Sequence, residues 1–340
     1  MASAKIYYDK IKKLRNEFDF TQADLEHFSG VNVNIIKQVE SGRSGTSKEN
    51  MIAIAKTLKV PLDEIYNDNY RDTKVISVIN SKGGCGKTSI VQNLSFELSL
   101  MKDLKILIVD SDLQCNLTNS FSMKFDVEKS IYKAIMYSHD EFNPSNIYDY
   151  ITKTEYDNLD MVISDYEMAT IELDMATKSY RETLLNTLFS PLIEDGKYDY
   201  IIFDCNPMLG LLNQNIALIS DYVIVPVELS PFGISGLSVL FKFIKKSMRN
   251  NPKLSIMGIL KTKVDKRYAM TKQADAGLIK QLATRKLNMF NTYVPTDSNI
   301  EKCQWEAKPL RVYVSENNKY SRANKSFYDI AKEVHANARS

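Results

Sequence analysis

The chain has 340 residues, 44% hydrophobic and 25% charged, with 44 Lys/Arg against 42 Asp/Glu. That apolar fraction supports a large core and excludes a disordered chain, and no run of about 18 apolar residues offers a membrane span. The start, MASAKIYYDKIKKLRNEF, has no apolar leader segment, so the protein reads as cytoplasmic, and Cys85, Cys115, Cys205 and Cys303 match no zinc or redox spacing.

The balanced total hides a strong asymmetry. Residues 1–70 carry 10 Lys/Arg and 10 Asp/Glu, residues 122–199 carry 7 and 16, residues 242–286 carry 13 and 2, and residues 300–340 carry 8 and 5. A segment with a net charge of +11 points to nucleic acid, with a solvated helix face as the plainer alternative.

Residues 1–69 read as a small helical domain. Ile11, Leu14, Phe18 and Phe20 form one apolar stripe. Thr21 offers an N-cap with Asp24 three residues on, opening a helix over residues 22–28 that closes at Ser29-Gly30. Asn32 caps a second helix over residues 33–40, ended by Ser41-Gly42. Met51, Ile52, Ile54, Ala55 and Leu58 mark a further helix, and Pro61 opens a last one over residues 62–66. The polar stretch 67–72 reads as a linker. Beyond it the period changes, and residues 70–340 form a second domain. β-branched runs at 74–80, 105–109, 161–163, 200–203, 222–227 and 255–260 alternate with helical patterns, the first of them at 88–100. Strands buried on both faces and separated by helices predict a doubly wound, mostly parallel α/β sheet.

Between the first of these strands and its helix lies Ser81-Lys-Gly-Gly-Cys-Gly-Lys-Thr-Ser89. A glycine-rich turn from strand to helix is the context a phosphate-binding loop requires: glycines let backbone N–H groups curl around phosphate, and the helix N-terminus adds partial positive charge. Lys87 can neutralise the outer phosphates and the Thr88 hydroxyl can ligate Mg²⁺. Ser81 stands where the usual first glycine would, and Lys82 is an additional lysine ahead of the glycine pair.

This K-G-G-x-G-K-T segment resembles the deviant Walker A motif of the ParA/MinD family of P-loop ATPases. The resemblance continues through Asp110-Ser-Asp-Leu-Gln-Cys-Asn116, through Asp204-Cys-Asn-Pro207 after the strand at 200–203, through Asn213, Asn215, Ala217 and Asp221, and through the Val294–Leu310 stretch, where Cys303 replaces the usual small residue. It implies an ATPase using ATP and Mg²⁺. Residues Lys82, Gly83, Gly84, Cys85, Gly86, Lys87, Thr88 and Ser89 would bind nucleotide, and Lys82 would reach the partner's nucleotide across an ATP-dependent homodimer. Asp112 would position the attacking water, and Asp110 and Asp204, with Thr88, would serve Mg²⁺. The loops after Leu260 and near Pro295 would line the adenine pocket, with Asp265 a weaker candidate. For the cysteines inside these loops, small size is favoured over redox control.

Residues 21–42 resemble the Cro/repressor helix-turn-helix. The resemblance places the second helix in the major groove, with Leu25, Val31, Ile36 and Val39 holding the pair together. Asn32, Val33, Asn34, Lys37 and Gln38 would face the bases, and Gln22 and Arg43 the phosphates. Together the two resemblances imply a partition ATPase that binds operator and non-specific DNA, associates with the nucleoid, answers to a ParB-like centromere-binding protein and represses its own operon. The rivals are a MinD-like membrane ATPase, which needs an amphipathic C-terminal anchor, and a nucleotide-sensing regulator. Phe327, Ile330, Ala331 and Val334 in the last helix are instead spaced to pack on their own domain.

Overall fold

The structure, a computed structural model, describes residues 3–138, 145–230, 234 and 236–339. It separates into two compact units, Met1–Asp72 with Asp195–Lys197, and Thr73–Glu194 with Tyr198–Ser340.

The smaller unit holds β1 (Ser3–Ile6), α1 (Tyr8–Glu17), α2 (Gln22–Ser29), α3 (Val33–Glu40), α4 (Lys48–Thr57), α5 (Leu62–Ile65) and β2 (Tyr66–Tyr70). The expected caps form. Thr21 and Asp24 make a reciprocal capping box, and the Asn32 side chain accepts from the N–H of Asn34. Gly30 ends α2 with its N–H still bonded to Glu26 O, and its left-handed φ of +72° turns the chain that follows into α3. Leu25, Val31, Ile36 and Val39 are all buried, with Ile11, Met51, Ile54 and Leu58.

Two expectations need correction here. The stretch after α5 is a strand, not a linker: β2 pairs antiparallel with β1, from Ser3 opposite Tyr70 to Ile6 opposite Tyr66. Neither strand shows apolar alternation, so the pairing left no periodic trace. The stripe on α1 also differs, because the helix ends at Glu17 and leaves Phe18 exposed beyond it. Its inward positions are Ile11 and Arg15. Arg15 is buried because its guanidinium forks onto the Glu40 carboxylate at 2.6 and 3.1 Å and donates to Phe20 O.

The larger unit is a seven-stranded sheet with the order β5-β6-β4-β7-β3-β8-β9. Its strands are β3 (Lys74–Val78), β4 (Ile106–Ser111), β5 (Thr152–Lys153), β6 (Leu159–Val162), β7 (Tyr200–Cys205), β8 (Tyr222–Glu228) and β9 (Ser255–Thr262). All neighbours run parallel except the short edge strand β5, which pairs antiparallel with β6. Period-two alternation divides the strand residues between two cores. Val75, Leu107, Val109, Ile201 and Phe203 belong to one, and Ile76, Val78, Ile106, Ile108 and Ile202 to the other.

Helix α6 (Lys87–Ser99) lies in the second core and is buried nearly all round. Three of its buried polar residues are engaged from a distance. Gln92 donates to Ser120 O and Lys308 O, Asn93 accepts from the Leu310 N–H, and Glu97 receives a two-pronged bond from Arg311. Phe327, Ile330, Ala331 and Val334 of the last helix, Arg322–Arg339, are buried in the same core. That apolar face is occupied within its own unit. No helix among the described residues is long and apolar enough to cross a membrane.

Candidate functional site

The parallel strands end on one edge of the sheet, and there the loops after β3, β4, β7 and β9 enclose a cavity of about 860 Å³. Its lining includes Gly83, Gly84, Gly86, Lys87, Thr88 and Ser89 from the loop before α6, Asp112 and Asn116 after β4, Asn206 and Met208 after β7, and Thr262 and Lys263 at the end of β9.

The phosphate loop has the geometry its glycines predict. Gly84 and Gly86 sit at φ +69° and +92°, a region closed to most side chains, and space around Gly83 and Gly84 is open. Gly86 stands at the N-cap of α6 without a side-chain cap, leaving the helix N-terminus facing the cavity. Thr262 steadies the loop by donating its hydroxyl to Cys85 O at 2.9 Å. Lys87 is buried, with its ammonium 3.5 Å from Lys82 O. Gln304 reaches Ser89 from the other side of the cavity, at 3.0 Å.

The carboxylates separate by role. Asp204, at the end of β7, accepts the Thr88 hydroxyl on Oδ2 at 2.6 Å, while its Oδ1 is buried with no hydrogen-bond partner. A buried oxygen left unpaired beside a phosphate loop fits a hydrated cation that also takes phosphate oxygens, the usual manner of Mg²⁺. Asp110 is fully buried and already committed: Thr118 N–H and hydroxyl donate to Oδ2 and the Asp112 N–H to Oδ1. Burial, followed for Asp204 by repulsion from Asp110, raises both carboxyl groups above the usual range. Asp112 lies half-buried on the cavity wall. Its own Oδ1 accepts the Gln114 N–H, and Ser164 holds its carbonyl at 2.7 Å.

Lys82 points elsewhere. Its ammonium is 2.7 Å from Glu228 Oε2 and 3.3 Å from Ser230 Oγ, at the end of β8. Asp265 is tied to Arg267 and is not part of the cavity wall, whereas Val294, Pro295, Thr296 and Asp297 are. Cys85, Cys115 and Cys205 are buried thiols whose pKa values burial raises, the inert state of a small apolar residue.

Sequence reasoning missed Glu172. Its carboxylate accepts the N–H groups of Leu211 and Leu212 at the start of the helix Leu211–Ile219, and closes a wall of the cavity. A Cβ at Gly210 would stand about 2.4 Å from that carboxylate, so a larger residue there would have to displace the Glu172 tip. The only signal was a glycine before a helix, which does not name its distant partner.

In the smaller unit Asn34, Lys37, Gln38 and Arg43 are exposed, Val33 is half-buried, and Asn32 is exposed while serving as the cap of α3. Gln22 is turned inward, donating to Glu40 at 2.8 Å, and the Gln38 amide oxygen accepts from Ser44. In the larger unit the basic segment acquires a direction. The helix Leu237–Asn250 buries Leu237, Leu240, Phe241, Ile244 and Ser247 and exposes Lys242, Lys245, Lys246 and Arg249 as a single stripe.

Comparison with known proteins decides the family. A model described as an AAA domain matches residues 73–256, more than half the chain, and a helix-turn-helix model matches residues 11–65. The sporulation initiation inhibitor protein Soj of Bacillus subtilis is 30% identical over 266 residues, covering 78% of this chain and 99% of Soj. The chain belongs to the ParA-like AAA-domain family. The chromosome partitioning protein ParA of Caulobacter vibrioides is 24% identical over 242 residues, 71% of this chain and 87% of that protein. A plasmid partition protein from Borrelia burgdorferi, solved with AMPPNP, superposes with a TM-score of 0.61 at 24% identity, over 78% of this chain and 99% of that one. The α/β sheet of the larger unit is thus the ParA-type P-loop fold, and a helix-turn-helix precedes it.

Proposed function

We propose that the protein is a DNA partition ATPase whose two protomers close on ATP and Mg²⁺, bind DNA, and separate on slow hydrolysis. The observation that carries this reading is the convergence of Lys87, Thr88 and Asp112 on one cavity, with the unpaired Asp204 oxygen beside Thr88. Lys87 and the α6 N-terminus would hold the phosphates; Thr88 and Asp204 would hold Mg²⁺, which supplies charge neutralisation on the phosphates. Asp110 braces the Asp112 backbone, and Asp112 would orient the attacking water. Lys82 would act in the partner's site.

The family relatives named for chromosome and plasmid partition support the cellular role. The stripe Lys242, Lys245, Lys246 and Arg249 would carry sequence-independent DNA binding, and α3 would read an operator through Asn34, Lys37 and Gln38, with Arg43 on the backbone. Gln22 fits this role less well, since its amide is spent on Glu40. A ParB-like protein would stimulate turnover, the operator contact would repress the operon, and DNA binding would place the protein on the nucleoid. The deciding experiment is the ATPase rate of the full chain with and without DNA and the product of the adjacent gene. Stimulation by both together is expected; no hydrolysis under any condition would refute the reading.

A further inference from the structure

The helix Ser298–Trp305 runs along the cavity and is fixed at both ends. At its start Asp297 accepts the Asn299 N–H on Oδ1 at 2.9 Å and the Ser321 hydroxyl on Oδ2 at 2.8 Å. Near its end Gln304 donates to Ser89 Oγ at 3.0 Å, on the first turn of α6. Asp297, Ile300, Glu301 and Gln304 follow helical spacing, and all four line the cavity over about 10 Å of axis. Two of the three polar members are spent on these anchors. Glu301 is not: it is exposed and makes no hydrogen bond or ion pair among the described residues. It also borders an adjoining cavity of about 500 Å³ together with Asn116 and Trp305, so two cavities meet beside it.

We propose that Glu301 reads the sugar of the bound nucleotide, accepting a ribose hydroxyl and so selecting ribonucleotides over their deoxy counterparts. The inference rests on the reading that this cavity holds ATP. That reading fixes a direction. The outer phosphates lie towards Lys87 and Asp112, while Val294, Pro295 and Ile300 offer an apolar wall for the base. The sugar then passes the middle turn of the helix, between Asp297 at the base end and Gln304 at the phosphate loop. Ribose hydroxyls can donate and an ionised carboxylate only accepts, so the pair forms a charge-assisted hydrogen bond. The same carboxylate repels phosphate, which leaves the sugar as its partner on this stretch of the nucleotide. A helix held at both ends keeps the acceptor in place.

The test is calorimetric titration of the full-length chain with Mg²⁺ and ADP, 2′-deoxy-ADP, 3′-deoxy-ADP or inosine diphosphate. Diphosphates are used so that neither hydrolysis nor pairing of protomers enters. In the wild type, the analogue lacking the bonded hydroxyl should bind roughly five- to tenfold more weakly than ADP. That is less than the full worth of a hydrogen bond to a charged group, because Glu301 is exposed. In Glu301→Ala, ADP should fall to the level of that analogue, so that the two bind alike. Deoxy analogues that bind the wild type as tightly as ADP would overturn the sugar contact. A preference for ADP that survives in Glu301→Ala would assign the sugar to another residue and overturn the role of Glu301. If Glu301→Ala instead erased only the preference over inosine diphosphate, Glu301 would hold the adenine amine and the proposal would fall. No binding of any of the four by the wild type would overturn the nucleotide reading itself, and the role of Glu301 with it.

Discussion

The phosphate loop and the helix-turn-helix are both short and marked by glycine, but they are held in opposite ways. The helix-turn-helix is held by neighbours: Thr21 with Asp24, Glu26 with the Val33 N–H, and Glu40 with Arg15 and Gln22, all inside the first 40 residues. The phosphate loop is held from across the sheet. Asp204 reaches Thr88 over 116 positions, Glu228 reaches Lys82 over 146, Thr262 reaches Cys85 over 177 and Gln304 reaches Ser89 over 215. A local motif of the first kind can be transplanted with its geometry. The second exists only when the whole parallel sheet has formed.

The comparison breaks most visibly at Asp112. If Asp112 orients the attacking water as proposed, Asp112→Ala should lose roughly 10²–10⁴-fold in turnover while keeping nucleotide binding. Single-turnover ATP hydrolysis would check this, and near-normal rates would remove Asp112 from the chemistry. In the smaller unit the largest effect should come from Glu40→Ala, which strands the buried Arg15 guanidinium. Losing one partner of a buried pair costs about 3–5 kcal/mol, so thermal unfolding of this unit should shift down strongly. Nucleotide affinity should stay unchanged; a parallel loss of nucleotide binding would mean that the local unit is not self-sufficient.

The two proposed DNA activities would separate the regions further. Changing Lys245, Lys246 and Arg249 to Gln should flatten the salt dependence of random-DNA binding by about 0.9 in log–log slope for each phosphate no longer neutralised. Gel shifts at several salt concentrations give that slope, and an unchanged value would move the DNA surface to another face. Asn34→Ala should cost about 1–3 kcal/mol of preference for the operator over random DNA and leave the salt slope alone. The smallest effect is expected at Thr21→Ala, which removes one cap of α2 for about 1 kcal/mol, read as a small drop in denaturant midpoint.

Much of this was legible along the chain because it depends on neighbours in sequence. The strand–glycine–helix order of the phosphate loop, the caps of α2 and α3, the buried β-branched strands and the inward face of the last helix all follow from backbone geometry and from period-two or helical spacing. What tertiary structure alone decided was the choice among partners far away. Strand β2 is polar and becomes a strand because β1 lies beside it. Phe18 is exposed because α1 ends one residue earlier and turns Arg15 inward to Glu40. Gln22, read as a phosphate contact, spends its amide on that same carboxylate. The Asp204 oxygen is unpaired, and Lys82 is held on Glu228, because parallel strands bring their ends to one edge of the sheet. Hydrogen bonds and ion pairs act over about 3 Å, and whether two polar side chains come that close is set by strand order, which no local spacing encodes.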